Sequence, residues 1–541
     1  MLKKNDVITV QITDNGSGGE GIAKHNGYTL FVKNGVKGDT AEIKILKINK
    51  SYGFAKIEKI ITPSENRQNP PCPYFEKCGG CNIMHLKYSA QLALKEEIVK
   101  NNLYKTGGFS EGDFIFENII PSADFLGYRN KAQFPVAEVN NRIVCGFFAE
   151  RSHSIVPLEN CLIQSKKINQ IMNICTDFFT QNKISAYSEK TKNGIVRNVY
   201  IRDLSDGVMV VIVANSNRKI KNIDALVKVL AENGVSSVIQ NVNTKDTNVI
   251  MGEKNIILYG KDEIGAKIGD IKYLISSKSF FQVNTKQTEI LYKKALEYAN
   301  PTKNDTVFDL FCGCGTISLF MAESAKKVIG VEIVEDAVKS AEKNAHFNKI
   351  KNAFFYSGDC DKVVKNLIEN GETADIIVVD PPRKGLTGEL VNMICSLNPK
   401  RIIYVSCNSA TLARDVALAK NYGYILTKAA PVDMFPNTAH VETVVLLSRK
   451  IPDDRIEIDI DLDELDITTA ESKATYEEIK EYVLNKYHFK VSSLYIAQIK
   501  TKYGIKEAIN YNISKKGTRV PLCPPDKENA ITDALKYYGM I

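Results

Sequence analysis

The rhythm of apolar and polar residues changes several times along the chain. Between Val7 and Ile60, short stretches alternate at a period of two: Val7 to Ile12, Tyr28 to Val32, Ala41 to Leu46 and Gly53 to Ile60. The glycine-bearing runs Gly16 to Gly21 and Gly35 to Gly38 break them. Short strands joined by glycine turns predict a small β-barrel over residues 1–61. Ser64 to Pro73, rich in Pro, Asn and Gln, reads as a linker. A mixed α/β segment then runs over 70–262, with strand-like stretches at Ile195 to Arg202 and Val208 to Ala214.

From about 265 the pattern becomes strand, helix, strand, helix. The apolar strands are Thr306 to Phe311, Lys327 to Ile333, Ala374 to Val379 and Arg401 to Ser406. Such alternation predicts a mostly parallel sheet covered by helices on both faces, here over 263–450. After Lys450 the chain changes again. Residues 451–470 hold eight acids and one arginine and read as an acidic linker. Thr475 to Lys486 and Ser492 to Tyr503 have helical spacing, so 451–541 is expected to be a linker followed by a small helical appendix of winged-helix type.

Composition narrows the class. At 541 residues the chain is too long for one ordinary domain. It contains no run of eighteen apolar residues, and Met1 to Val10 alternates charged and apolar residues instead of forming a secretory leader, so a cytoplasmic protein with no membrane partner is expected. The net charge is +8. Because 451–470 is strongly acidic, the rest of the chain is more basic than that total, which suits a polyanionic partner such as RNA. Twelve cysteines in a reducing compartment are better read as ligands, nucleophiles or core residues than as disulfides.

Three motifs carry chemistry. The strand Val307 to Phe311 runs into Cys312-Gly313-Cys314-Gly315, a turn where glycines let a ligand approach the backbone. The next strand ends at Glu332, whose carboxylate is placed to accept from ribose hydroxyls. The turn lacks the G-x-G-x-x-G spacing of a dinucleotide site. The strand Ile376 to Val379 ends in Asp380-Pro381-Pro382, a rigid edge beside which a planar base can lie. That pattern points to a methyltransferase, although enzymes that methylate exocyclic amines share it. Cys407 then stands at the carboxyl end of the strand Arg401 to Ser406. Methylating C5 of uracil requires a thiolate to add to C6, and a base must afterwards remove the C5 proton. Glu442, just ahead of the apolar run Thr443 to Leu447, is the candidate base.

The residues Gly18 to Ala23, Phe31-Val32 and Val36 to Asp39 resemble a TRAM domain, a relative of the oligonucleotide-binding fold, which implies RNA binding. With Ser279 to Asn284, Asp309 to Gly315, Asp380 to Gly385, Ser406-Cys407-Asn408 and His440 to Thr443, roughly residues 1–448 resemble the 23S rRNA (uracil-5-)-methyltransferases, whose family also contains the tRNA uracil-5 enzymes. The resemblance implies a class I S-adenosylmethionine-dependent methyltransferase fold of Rossmann-like type. It implies that Gln282, Phe311, Glu332 and Asp380 contact S-adenosylmethionine, that Cys407 is the nucleophile and that Glu442 is the proton acceptor. Asp359 is expected near the adenine edge, with Cys312 and Cys314 packing beside the turn.

Cys72-x5-Cys78-x2-Cys81 offers three soft ligands, and Cys161 is a candidate fourth. Spacing leaves zinc and an iron–sulfur cluster open. The resemblance implies a [4Fe-4S] cluster with a structural or RNA-positioning role, since methyl transfer has no redox step. Pro73, Gly79 and Gly80 describe a tight loop with little core of its own. The expected partner is 23S rRNA, with tRNA as the alternative, and the enzyme is expected to be a monomer. An amine methyltransferase would need neither Cys407 nor Glu442, and a noncatalytic RNA-binding scaffold would not bind S-adenosylmethionine.

Overall fold

In the computed structural model, residues 2–247, 249–449, 474–503, 505 and 523–541 are described. The chain divides into two compact units, Met1–Pro452 and Asp453–Ile541.

The first unit begins with five strands, Val7–Asn15, Gly21–His25, Tyr28–Lys33, Thr40–Ile48 and Tyr52–Thr62, closed into a barrel. Alternation turns Val10, Ile12, Ala23, Leu30, Val32, Ala41, Ile43, Ile45 and Ala55 inward, and their side chains fill the interior. A seven-stranded sheet follows, with strand order Lys254–Tyr259, Val235–Val242, Gly207–Ala214, Val196–Leu204, Lys131–Val139, Arg142–Phe148 and Ile155–Pro157. The helices Lys166–Gln181 and Ile223–Glu232 bury Ile168, Ile171, Met172, Phe179, Leu226 and Leu230 in one core with this sheet. Ser165 caps the first helix by accepting from the Ile168 N–H at 3.1 Å.

An eight-stranded sheet carries the expected α/β pattern. Its order is Ala353–Ser357, Lys327–Glu332, Thr306–Leu310, Ile376–Val379, Arg401–Ser406, Glu442–Arg449, Tyr424–Val432 and Ile115–Phe116. The first five strands are parallel, as the sequence predicts. Glu442–Arg449 inserts antiparallel between Arg401–Ser406 and Tyr424–Val432. The edge strand Ile115–Phe116 comes from far earlier in the chain and pairs with Lys428 and Ala429. The helix Tyr88–Asn101 packs with it, since Val99, Leu103, Phe109 and Ile119 share a core with Phe308, Leu310 and Val445.

The second unit shows three helices among the described residues, Tyr476–Tyr487, Ser493–Lys502 and Pro525–Tyr537. Thr475 and Glu478 form a capping box at the first, which begins at Tyr476, one residue after the start expected from sequence. Ile479, Val483, Ile496, Ile499, Ile531 and Leu535 make the core. The acidic stretch 451–470 lies outside the described residues, as does 506–522, where a wing would have to be sought. Among the described residues, no helix is long and apolar enough to cross a membrane.

Candidate active site and cofactor turn

The parallel strands lead into Phe311, Glu332, Asp380 and Cys407 at their carboxyl ends, and the antiparallel strand Glu442–Arg449 begins beside the last of these. Cys407 follows Arg401–Ser406, and Asn408 caps the next helix, Ser409–Lys420, by accepting from the Ala410 N–H at 3.1 Å. Asn408 also donates through Nδ2 to the Arg383 carbonyl at 3.0 Å, fixing the Cys407 turn against the segment after Pro381-Pro382. Ser406 pairs with Thr443 across the antiparallel ladder. Glu442, one residue away and buried, therefore lies beside Cys407 although the two are far apart in sequence.

Electrostatics follow from this crowding. Burial, together with the Asp380 carboxyl, pushes Glu442 up to about 8. Burial alone pushes Asp380 up to about 7. Burial, reinforced by Glu442 and Asp380, pushes the Cys407 thiol up to about 11, while the Arg383 guanidinium pulls it down. A buried carboxyl with a raised affinity for protons beside a thiol is an arrangement suited to moving a proton, and the Arg383 guanidinium partly offsets the burial and the two carboxyls that oppose the thiolate.

The glycine turn is held by Glu332. Its Oε2 accepts from the Gly313 N–H at 3.1 Å and its Oε1 from the Val334 N–H at 2.9 Å. Phe311 takes a left-handed φ of 69° at the end of its strand, a strained conformation for an aromatic residue and one typical of functional turns. A Cβ on Gly313 would meet open space, so there is room for a ligand over the turn. Asp309, buried beneath it, is pushed up to about 7 by burial, and its Oδ1 has no hydrogen-bond partner. Cys314 donates to the Phe280 carbonyl at 3.6 Å, which ties the segment carrying the buried Gln282 to the turn. Asn130 Nδ2 donates to the Gln282 carbonyl at 2.9 Å. Asp359 caps the helix Cys360–Glu369, accepting from the Asp361 N–H at 3.2 Å. Cys312 and Cys314 are buried, with thiols raised by burial.

Several residues without a role in the sequence reading stand out here. Arg383 acts on Cys407, Glu442 and His440. Its signal was its place directly after the two prolines. Phe280 is 67% exposed two residues before Gln282, with the Lys131 ammonium 5.7 Å from its ring centre, an aromatic face on which a base can stack. The ion pair of Lys95 with Asp433 is fully buried, and Tyr88 donates to the same carboxylate at 2.9 Å. Removing either charged partner would cost about 3–5 kcal/mol.

Cys72, Cys78, Cys81 and Cys161 line one cavity of about 30 Å³. Burial, then Cys161, Cys78 and Cys72, raise the Cys81 thiol, and burial first pushes Cys161 up to about 11. Contrary to the reading of a loop with little core, Phe75, Met84, Tyr128 and Ile163 pack against Cys72, Cys81 and Cys161, because Tyr128 and Ile163 arrive from loops distant in sequence. Among the described residues, no group of three or more His, Cys, Asp or Glu side chains is arranged to hold a metal ion.

A cleft of about 580 Å³ separates this loop from the barrel, lined by Phe31, Lys33, Phe54, Arg151, Asn82 and His440 among others. The Arg151 guanidinium lies 5.6 Å from the Phe54 ring centre. Aromatic faces interleaved with cations suit single-stranded nucleic acid, and His440 leads from the cleft to Glu442.

Known proteins match this architecture. A sequence model of the tRNA (Uracil-5-)-methyltransferase family matches residues 87–450, and that of the TRAM domain matches residues 2–57. A Clostridium tetani protein named an uncharacterized RNA methyltransferase is 42% identical over 450 residues, covering 83% of this chain and 97% of that one. A Bacillus cereus protein of the same name is 43% identical over 462 residues, covering 83% and 98%. The crystal structure of Pyrococcus abyssi tRNA (uracil-54, C5)-methyltransferase in complex with S-adenosyl-L-homocysteine superposes with a TM-score of 0.65 at 27% identity, over 81% of this chain and 99% of that one. Family match, barrel and cofactor turn agree, and the chain belongs to the S-adenosylmethionine-dependent RNA uracil-C5 methyltransferases that carry a TRAM domain.

Proposed function

We propose that this enzyme makes 5-methyluridine in RNA through a covalent adduct between Cys407 and C6 of the target uracil, with Glu442 removing the C5 proton. The observation that carries this reading is the adjacency of Cys407 and the buried Glu442 across one strand pair. The Cys407 thiolate attacks C6 and leaves an enolate, whose C5 is the methyl acceptor. Gln282, Phe311, Glu332 and Asp380 would hold S-adenosylmethionine, which would supply the methyl group from its sulfonium and leave as S-adenosylhomocysteine. The Glu442 carboxylate then takes the C5 proton, the C6–S bond breaks, and Cys407 leaves as thiolate. Arg383 favours that thiolate. The amine-methylating reading uses neither residue.

The RNA we propose is 23S rRNA, with the enzyme acting in the cytoplasm as a monomer. The barrel and its wide aromatic and basic cleft support a large RNA, and one chain supplies both the cleft and the catalytic pair. The name of the Pyrococcus protein supports tRNA as the second reading. Mass-spectrometric mapping of 5-methyluridine in RNA from cells lacking the gene decides between them. Loss of a modified position in 23S rRNA is expected, and loss in tRNA alone would overturn the rRNA assignment.

We also propose that Cys72, Cys78, Cys81 and Cys161 hold a [4Fe-4S] cluster as a structural element. Four half-buried cysteines around one cavity, with burial disfavouring the thiolate forms of Cys78, Cys81 and Cys161, are a donor set that suits a cationic group. A cluster that gives each sulfur its own iron needs no convergence on a single ion. Anaerobically purified protein is expected to be brown and to contain iron and acid-labile sulfide, both lost in Cys81→Ser. Stoichiometric zinc without iron would rule the cluster out.

A further inference from the structure

The turn that brings Glu442 into place is held from three directions. Residues 433–441 join the strands Tyr424–Val432 and Glu442–Arg449. From the helix Tyr88–Asn101, Gln91 accepts from the Asn437 N–H at 2.9 Å and donates to its side-chain carbonyl at 3.2 Å. From the cysteine loop, the backbone N–H groups of Asn82 and Ile83 both donate to the Asn437 carbonyl at 3.2 Å. The Asn82 side chain adds a double link. Its Oδ1 accepts from the Ala439 N–H at 2.9 Å, three residues before Glu442. Its Nδ2 donates to the Gly18 carbonyl at 2.6 Å, in the first glycine turn of the barrel. Gly19, at a φ of +87°, closes on the same point, where a Cβ would stand 2.3 Å from Ile83 Cγ2. Val36 of the barrel, Ile83, Leu94 and Ala439 share one small core there.

We propose that Asn82 is a positioning residue for the reaction, a single side chain that ties barrel and cysteine loop to the turn carrying His440 and Glu442, so that proton removal depends on how the barrel is seated. This rests on Glu442 being the proton acceptor. Asn82 is exposed at the edge of the cleft, so water can satisfy its amide, and its bonds add little to stability. What water cannot do is hold the Ala439 N–H and the Gly18 carbonyl at a fixed separation. A base displaced by about 1 Å loses on the order of 100-fold in rate. RNA gripped by the barrel would therefore bear on the same link that sets the base.

The test compares full-length Asn82→Ala and Asn82→Asp with wild type, using an unmodified 23S rRNA transcript, or a tRNA transcript if that is the one the wild-type enzyme methylates. Alanine removes both side-chain bonds. Aspartate keeps the acceptor for Ala439 and loses the donor toward Gly18. Asn82→Ala is expected to lose about tenfold or more in kcat and to accumulate a methylated, denaturation-resistant RNA adduct. Its S-adenosylmethionine affinity should stay within about twofold of wild type. Asn82→Asp is expected to be slow as well and to accumulate the same adduct, because it no longer holds the Gly18 carbonyl. Wild-type kcat in Asn82→Ala would overturn the proposal. So would a fall in kcat without adduct, which places the defect before methyl transfer, or an Asn82→Asp enzyme with wild-type kcat, which would make the link to Gly18 irrelevant to the base. Glu442→Gln in the same assay separates the two readings. If it releases methylated RNA at full speed, the base assignment is wrong; if it traps the adduct and Asn82→Ala does not, only the role of Asn82 fails.

Discussion

Enzyme carrying Glu442→Gln, incubated with S-adenosylmethionine and substrate RNA, is expected to yield an adduct that survives denaturation, is linked through Cys407 and already bears the transferred methyl group. The glutamine fills the same buried place at the start of the strand Glu442–Arg449 but cannot accept the C5 proton. Thiolate addition and methyl transfer precede that step, so they should continue, while release slows by about 10²–10⁴-fold, the usual weight of a general base. The pH dependence has a definite sign. Burial and Asp380 push Glu442 up to about 8, so its carboxylate form is the minority below that pH. Wild-type product release should rise with pH and level off above about 8, and the glutamine variant should lose that limb. Rapid-quench measurement of free and protein-bound methylated RNA reads both effects. Release by the variant at wild-type speed would make Glu442 a structural residue.

Replacing Cys407 with alanine should abolish turnover, a loss of at least about 10³-fold, because without the C6 adduct C5 has no enolate behind it. Affinity for S-adenosylmethionine should be nearly unchanged, since Cys407 follows the carboxyl end of the strand Arg401–Ser406 and the glycine turn is held separately by Glu332. Burial, Glu442 and Asp380 all oppose the thiolate, which Arg383 favours, so the resting enzyme holds mostly thiol at neutral pH. Binding of RNA and the facing guanidinium must supply the driving force for ionisation. The double variant Cys407→Ala, Glu442→Gln should form no adduct. Calorimetric titration of cofactor together with methyl incorporation checks both halves, and an active Cys407→Ala enzyme would end the covalent mechanism.

The barrel, the parallel strands and the glycine turn after Thr306–Leu310 were legible because each is local. Period-two alternation is written in ten residues, and Asp380-Pro381-Pro382 and Gly313-Cys314-Gly315 sit directly after their strands. The nearness of Glu442 to Cys407 was chemically motivated in the sequence, but its geometry was not written there. It arises because Glu442–Arg449 inserts antiparallel between two earlier strands, a long-range choice with no local mark. The same holds for the cysteine loop, where Tyr128 and Ile163 complete a core that the residues around Pro73 and Gly80 do not suggest. Asn82 was illegible for a different reason. An asparagine in a loop looks like ordinary turn chemistry, and its meaning lies in two backbone groups, Gly18 and Ala439, one on each side of it in sequence and both remote.

The two-residue strand Ile115–Phe116 bears on how the molecule is made. Its partners, Lys428 and Ala429, are translated about 300 residues later, and pairings of such separation form slowly. A nascent chain on the ribosome can complete the barrel from its first sixty or so residues while this segment still has unmatched backbone groups. Only when the strands Tyr424–Val432 and Glu442–Arg449 emerge does the catalytic layer gain both its outer edge and Glu442. Chains interrupted before that point would keep the barrel but lack Glu442, and the strands that bring it are the last of the described strands to be made.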